Sequence, residues 1–93
     1  MTFPIRHLPP TTTRPRSISV LGATGSVGQS TLDLVRAEPA AFRVEALVAG
    51  SNAERLAELA VEFGAAHAVV ADPAAYARLQ EALSGTGIEA AAG

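Results

Sequence analysis

Three glycines spaced three residues apart, Gly22, Gly25 and Gly28, lie between an apolar run and an amphipathic segment. The run before them, Ile18–Leu21, is short and apolar, as in a buried strand. The segment after them, from Ser26 to about Ala37, has apolar residues at helical spacing. A strand, a glycine turn and a helix in this order are typical of the first unit of a dinucleotide-binding fold. This motif constrains the fold more than any other feature of the chain.

Strand and helix patterns alternate through the rest of the sequence. The predicted elements are a strand over Val44–Ala49, a helix over Ala53–Phe63, a strand over His67–Ala71, a helix beginning at Asp72-Pro73 and a fourth strand over Ile88–Ala92. Such alternation with short links predicts βαβ units, and apolar runs are typical of strands buried on both sides. We therefore predict an α/β fold, a Rossmann-type parallel sheet of three to four strands with helices on both faces.

The helices have predicted inner faces and ends. The second helix is expected to follow an Asn52 N-cap and to end at Gly64 in a left-handed conformation. Helical spacing predicts that the core-facing residues of the first helix are Val27, Thr31, Leu34 and Val35.

The first sixteen residues differ from the rest in charge. Residues 1–16 contain three arginines, four prolines and no acid, whereas residues 17–93 contain four arginines and nine acids. We expect 1–16 to be a flexible, basic, proline-rich arm and 17–93 to be the N-terminal part of a Rossmann domain whose catalytic domain is absent from this chain.

Composition excludes several kinds of chemistry. The chain has no cysteine, which excludes disulfides and thiol catalysis, and no lysine, which excludes a Walker A loop. Its net charge of −2 gives no reason to expect a nucleic-acid partner, and no apolar run approaches the roughly 18 residues of a membrane span. We identify no catalytic residue and no metal ligand.

Each part of the glycine loop has a physical role in diphosphate binding. Gly22 permits a tight turn, Gly25 lets a diphosphate approach the backbone, and Gly28 lets the helix pack against the strand. The helix N-terminus then offers unpaired N–H groups to the phosphates. The alternative is a glycine turn that serves packing alone. The predicted cofactor contacts in this loop are Gly22, Thr24, Gly25, Ser26 and Val27.

The second predicted strand ends without an acid. Sites for NAD usually carry Asp or Glu there, about 20 residues after the glycines, whereas this chain has Gly50, Ser51 and Asn52. A carboxylate would repel a 2′-phosphate, so its absence favours NADP(H) over NAD(H). Ser51 and Asn52 can donate hydrogen bonds to that phosphate, and Arg55 could add positive charge.

Two of these residues have purely structural alternatives. Asn52 could serve only as a helix cap. Arg55 could be a solvated side chain that pairs with Glu58 or Glu62, which is the favoured interpretation for Arg55. The acids of the second helix recur every four residues, which indicates an exposed stripe.

The loop and its flanks resemble a known family. Residues 17–33, Ser-Ile-Ser-Val-Leu-Gly-Ala-Thr-Gly-Ser-Val-Gly-Gln-Ser-Thr-Leu-Asp, resemble the opening of the 1-deoxy-D-xylulose-5-phosphate reductoisomerases. The resemblance continues through Phe-Arg-Val at 42–44, Ala-Leu-Val-Ala-Gly at 46–50 and Ala-Val-Val-Ala-Asp at 68–72. It covers about residues 17–93.

The resemblance implies an NADPH-dependent reductoisomerase of non-mevalonate isoprenoid (isopentenyl diphosphate) biosynthesis. Such enzymes convert a phosphorylated sugar, 1-deoxy-D-xylulose 5-phosphate, to 2-C-methyl-D-erythritol 4-phosphate with a divalent metal (Mg or Mn), whose ligands would lie outside this chain. It further implies a cytoplasmic bacterial enzyme that is a homodimer at full length. The positions matching Thr24, Gly25, Ser26 and Val27 would bind NADPH. The positions matching Gly50, Ser51 and Asn52 would hold its 2′-phosphate, although the family often has lysine where this chain has Ser51.

Two other functions remain open from the sequence. Another NADP-dependent oxidoreductase, such as a semialdehyde dehydrogenase, also opens with Gly-Ala-Thr-Gly. A non-catalytic nucleotide-binding module would account for the lack of catalytic residues in the chain.

Overall fold

The computed structural model describes residues 15–93. Its elements are β1 (Arg16–Leu21), α1 (Ser26–Ala37), β2 (Phe42–Ala49), α2 (Ala53–Phe63), β3 (His67–Val70), α3 (Tyr76–Ala82) and β4 (Glu89–Ala92). Every predicted strand and helix is present. Most of the predicted arm lies outside the described residues, and its last residue, Arg16, is already part of β1.

The four strands form one parallel sheet in the order β1-β2-β3-β4. A helix follows each of the first three strands and returns the chain to the start of the next strand, so every neighbouring pair is parallel. The predicted Rossmann-type parallel sheet is confirmed.

Helices cover only one face of this sheet within residues 15–93. Right-handed crossovers that always step in the same direction along a sheet place all their helices on the same side. Val20 and Leu47, which are paired neighbours, are buried under these helices, whereas Leu21, the next residue of β1, is 75% exposed. Helices reach the second face of such a fold where the strand order reverses, and no reversal occurs in the described residues. The second helical layer that we expected is therefore not supplied by residues 15–93.

The inner face of α1 differs from the sequence-based expectation. Gly28, Leu32 and Val35 are the buried residues of α1, whereas Val27 is 80% and Leu34 is 67% exposed. The prediction for Val27 and Leu34 was wrong because apolar spacing allowed more than one rotation of the helix. The close packing of Gly28 against the backbone of Gly22 and Ala23 selects the observed rotation of α1.

Both predicted ends of α2 are confirmed. The Asn52 side-chain oxygen accepts a hydrogen bond from the Arg55 backbone N–H (3.2 Å), which satisfies one of the unpaired donors of the first turn. At the other end Gly64 adopts a left-handed conformation (φ +63°), and the N–H of the following residue, Ala65, reaches back to the Ala60 carbonyl (3.0 Å). These caps fix where α2 begins and ends.

A side-chain cluster joins the carboxyl ends of α1 and α2. Arg36 on α1 donates two hydrogen bonds to Glu62 on α2, also pairs with Asp33 (2.7 Å), and lies 5.0 Å from the centroid of the Phe63 ring. The hydrogen bond from Arg36 lowers the pKa of Glu62, and the same bond raises the pKa of Arg36. The cluster bridges the two helices at the protein surface.

We expect Leu47→Ala to destabilise the fold far more than Leu21→Ala. Leu47 is fully buried under the helices, and its truncation should lower the free energy of unfolding by about 2–5 kcal/mol. Leu21 lies on the uncovered face, so its truncation should cost below about 1 kcal/mol. Urea unfolding followed by circular dichroism measures both. Equal losses would contradict the one-sided core.

Candidate functional site

The loops after β1 and β2 meet at the carboxyl edge of the sheet. The backbone N–H of Ala23 donates to the Val48 carbonyl (2.8 Å), which ties the glycine loop to the end of β2. The backbone N–H of Asp72, just after β3, donates to the Gly50 carbonyl (2.9 Å). In parallel α/β sheets, ligands bind at this edge. The predicted cofactor contacts of both loops therefore lie side by side.

The three glycines of the loop have three different environments. Gly22 has φ +65°, a conformation that favours glycine, and this confirms its role in the turn. A Cβ on Gly28 would lie 2.1 Å from the Gly22 carbonyl oxygen and 2.8 Å from the Ala23 Cα, which confirms that α1 packs directly on the loop. A Cβ on Gly25 would lie 3.4 Å from the nearest atom, the Gly22 oxygen. Packing explains Gly28 but places little demand on Gly25.

The N-terminus of α1 is not capped by a side chain, unlike that of α2. The N-cap position is Gly25, in extended conformation (φ −91°, ψ 174°), and no side chain among residues 15–93 accepts a capping hydrogen bond there. Ser26 and Val27 begin the helix and are exposed, and Thr24 is half-buried. The first N–H groups of a helix and its dipole together favour an anion. The geometry suits a phosphate at Gly25.

The loop after β2 presents Gly50, Ser51 and Asn52 at the surface. The oxygen of the Asn52 amide is engaged as the helix cap. A carboxamide also carries an NH₂ group with two donors. The two interpretations of Asn52, as a cap and as a phosphate ligand, therefore use different atoms of one side chain and are compatible.

The predicted ion pair between Arg55 and an acid of the same helix is confirmed. Its guanidinium donates to Glu58 one turn further along α2 (3.0 Å). Glu54 and Glu62 also pair with arginines, Arg78 (3.3 Å) and Arg36, so the predicted exposed acidic stripe is confirmed and each of its acids has a cationic partner.

Two charged residues near the site were missed from the sequence. Arg78 of α3 reaches Glu54 in the first turn of α2, and Asp72 adjoins Gly50 through the backbone bond described above. The position of Asp72 could have been found, because the residues that follow β3 fall at the same edge as the residues that follow β2 when the two strands are parallel neighbours. The Arg78 contact depends on how α2 and α3 pack and has no sequence signal.

The remaining candidates lie away from this edge. His67 begins β3, at the opposite edge of the sheet, where its Nδ1 is 3.4 Å from Glu89. The described part of the chain contains no group of three His, Cys, Asp or Glu side chains able to hold a metal ion. None of the helices over residues 15–93 has the length and apolar character needed to cross a bilayer.

Comparison with known proteins gives consistent matches. The family model for 1-deoxy-D-xylulose 5-phosphate reductoisomerase matches residues 18–93. A protein of that name from Nitrobacter hamburgensis is 50% identical over 97% of this chain and 22% of its own length. Another from a Bradyrhizobium strain (ORS 278) is 59% identical over 84% of this chain and 19% of its own. The chain thus spans about a fifth of the relatives it matches.

Solved structures agree with the sequence matches. The reductoisomerase from Zymomonas mobilis in complex with NADPH superposes with a TM-score of 0.83 at 51% identity, over 85% of this chain and 21% of that one. A reductoisomerase in complex with NADPH, fosmidomycin and magnesium superposes with a TM-score of 0.77 at 35% identity, over 84% of this chain and 19% of that one.

Gly25→Val and Gly28→Ala should separate cofactor binding from folding. A Cβ at position 25 meets little steric resistance, so Gly25→Val should change the free energy of unfolding by about 1 kcal/mol, the usual cost of a poorer N-cap, while the valine side chain blocks the approach of a diphosphate and abolishes NADPH binding. Alanine at position 28 forces α1 off the loop and should destabilise the fold by about 1–3 kcal/mol. Calorimetric titration and urea unfolding measure the two effects. Normal NADPH binding by Gly25→Val would show that the loop is not the diphosphate site.

Asn52→Asp should remove the preference for NADPH over NADH without weakening the helix. Aspartate caps a helix as well as asparagine does, so the free energy of unfolding should change by less than about 0.5 kcal/mol. The carboxylate removes the amide donors and repels a 2′-phosphate, so NADPH affinity should fall at least about tenfold while NADH affinity is kept. Asn52→Ala is the control, because it loses the cap without adding charge. An unchanged NADPH affinity in Asn52→Asp would rule out contact with the 2′-phosphate.

Proposed function

This chain belongs to the 1-deoxy-D-xylulose 5-phosphate reductoisomerase family, and we propose that it forms the part of such an enzyme that binds the adenosine and diphosphate of NADPH. The observation that carries the proposal is the arrangement of the two loops at one sheet edge, in a fold that matches an NADPH complex of the family. The full-length enzyme converts 1-deoxy-D-xylulose 5-phosphate to 2-C-methyl-D-erythritol 4-phosphate in isoprenoid biosynthesis.

The described residues fit the cofactor at both of its charged groups. The uncapped first turn of α1 would hold the diphosphate, which can approach the backbone at Gly25 because glycine has no side chain. Thr24, Ser26 and Val27 would surround it. Gly50, Ser51 and Asn52 would receive the 2′-phosphate where an NAD enzyme would have an acid. NADPH, when bound, supplies the hydride for the reductive half of the reaction. These residues bind and orient the cofactor and take no chemical part in the reaction.

The catalytic steps require residues beyond this segment. We propose that the divalent metal, Mg or Mn, and the sugar phosphate are held by the remainder of the reductoisomerase. Magnesium is present in solved relatives. The described residues of this chain bring no metal-binding group together. We also propose a homodimeric, cytoplasmic bacterial enzyme, on the family resemblance alone.

The other two functions have less support. A semialdehyde dehydrogenase shares Gly-Ala-Thr-Gly, but the family match runs through residues 18–93 and is to the reductoisomerases. A self-sufficient nucleotide-binding module has no specific observation in its favour.

Calorimetric titration of the chain with NADPH and with NADH tests the proposal. We expect NADPH to bind at least about tenfold more tightly, because the site lacks the acid that favours a ribose hydroxyl and presents amide and hydroxyl donors to a phosphate. Circular dichroism on the same sample checks that the chain is folded. Equal affinities for the two cofactors would remove the argument for NADPH.

A further inference from the structure

Arg55 is placed close to the predicted 2′-phosphate site. Its backbone N–H donates the capping hydrogen bond to the side-chain oxygen of Asn52. The Cα of Arg55 therefore lies in the first turn of α2, at the carboxyl edge of the sheet. Cα–Cβ bonds in a helix tilt toward its N-terminus. The side chain of Arg55 can therefore turn toward Asn52 as well as toward Glu58, where it lies in this structure.

Arg55 is also the only basic residue between Gly50 and Glu58. The other ionisable groups of that segment are acids, and Glu54 is already paired with Arg78 on α3. A phosphate bound at Asn52 would have Arg55 as the only basic side chain of α2 near it, while Glu54 and Glu58 add negative charge to the same helix. Arg55 therefore offers such a phosphate the one guanidinium of α2, in addition to the positive end of the helix dipole.

The pair that Arg55 forms with Glu58 is easily exchanged. Both side chains are solvent-exposed, 42% for Arg55 and 67% for Glu58, and they are joined by one hydrogen bond. Exposed pairs of this kind contribute little to stability. A phosphate accepts shorter, charge-assisted and often bidentate hydrogen bonds from a guanidinium. A bound 2′-phosphate should therefore draw Arg55 away from Glu58.

We propose that Arg55 is a specificity-determining residue of the cofactor site. Its guanidinium binds Glu58 in the free protein and the 2′-phosphate in the NADPH complex. Glu58 therefore lowers the affinity for NADPH by competing for the guanidinium. This inference rests on the proposed function, because it assumes that NADPH binds at this edge. It assigns a role to the contact with Glu58 as well as to the arginine. The exchange also explains why the confirmed structural pairing of Arg55 does not exclude a role in binding.

A double-mutant cycle on the NADPH affinity tests the exchange. Arg55→Gln should weaken NADPH binding by about 10- to 100-fold, the loss expected for a charged hydrogen bond. Glu58→Gln should strengthen it by about two- to fivefold, because the competing carboxylate is gone. In the Arg55→Gln background, Glu58→Gln should have no effect. All variants should bind NADH within about twofold of the unmodified chain.

Arg43→Gln is the matched control. Arg43 is an exposed arginine near the start of β2, at the far edge of the sheet, and its contact with Glu45 is long (3.9 Å). Its substitution removes the same charge from the chain and should leave both affinities unchanged. Calorimetric titration at one fixed salt concentration measures the whole set, because electrostatic binding varies with ionic strength.

The outcomes separate this inference from the proposed function. If the unmodified chain fails to prefer NADPH, the proposed function and this inference both fall. If it prefers NADPH and Arg55→Gln keeps that preference, the proposed function stands and the role of Arg55 is overturned. If Glu58→Gln strengthens NADPH binding equally with and without Arg55, Glu58 acts only by repelling the phosphate, and the exchange is overturned.

Discussion

The contact between α1 and the glycine loop determines the geometry of everything around it. Because Gly28 has no side chain, the first turn of α1 lies directly on the backbone of Gly22 and Ala23. That contact sets the rotation of the helix, and so decides that Leu32 and Val35 enter the core while Leu34 does not. It also holds the N-terminus of α1 over the end of β1. The same close packing therefore positions both the core and the site.

The site itself is assembled by the backbone rather than by converging side chains. Hydrogen bonds from Ala23 to Val48 and from Asp72 to Gly50 join the ends of three successive strands. A diphosphate can be held by main-chain N–H groups and a helix dipole without a lysine, which is how a chain that lacks lysine can bind a highly charged ligand. In the proposed site, side chains contribute at the loop after β2, where NADP(H) differs from NAD(H).

Features determined by local sequence could be predicted, and features determined by packing could not. The caps at Asn52 and Gly64 follow from residue type and neighbours alone, and both occur as expected. Helical spacing could not choose among the possible rotations of α1, so Val27 and Leu34 were misplaced. The coverage of the sheet depends on strand order, which apolar runs do not encode. Likewise, the placement of Asp72 beside Gly50 depends on β3 pairing with β2, and the contact of Arg78 with Glu54 depends on helix packing.

The uncovered face of the sheet is apolar, as expected for strands that are buried on both sides. Leu21, Val48, Val69 and Ala91 form one row across the four strands on the side away from the helices. A sheet in a stable domain has its apolar face packed against another layer. The apolar character of both faces thus reflects a two-sided sheet, although residues 15–93 supply helices to one side only. About four-fifths of each matched relative lies outside the aligned segment, so those proteins have enough further chain to supply a second layer over such a row.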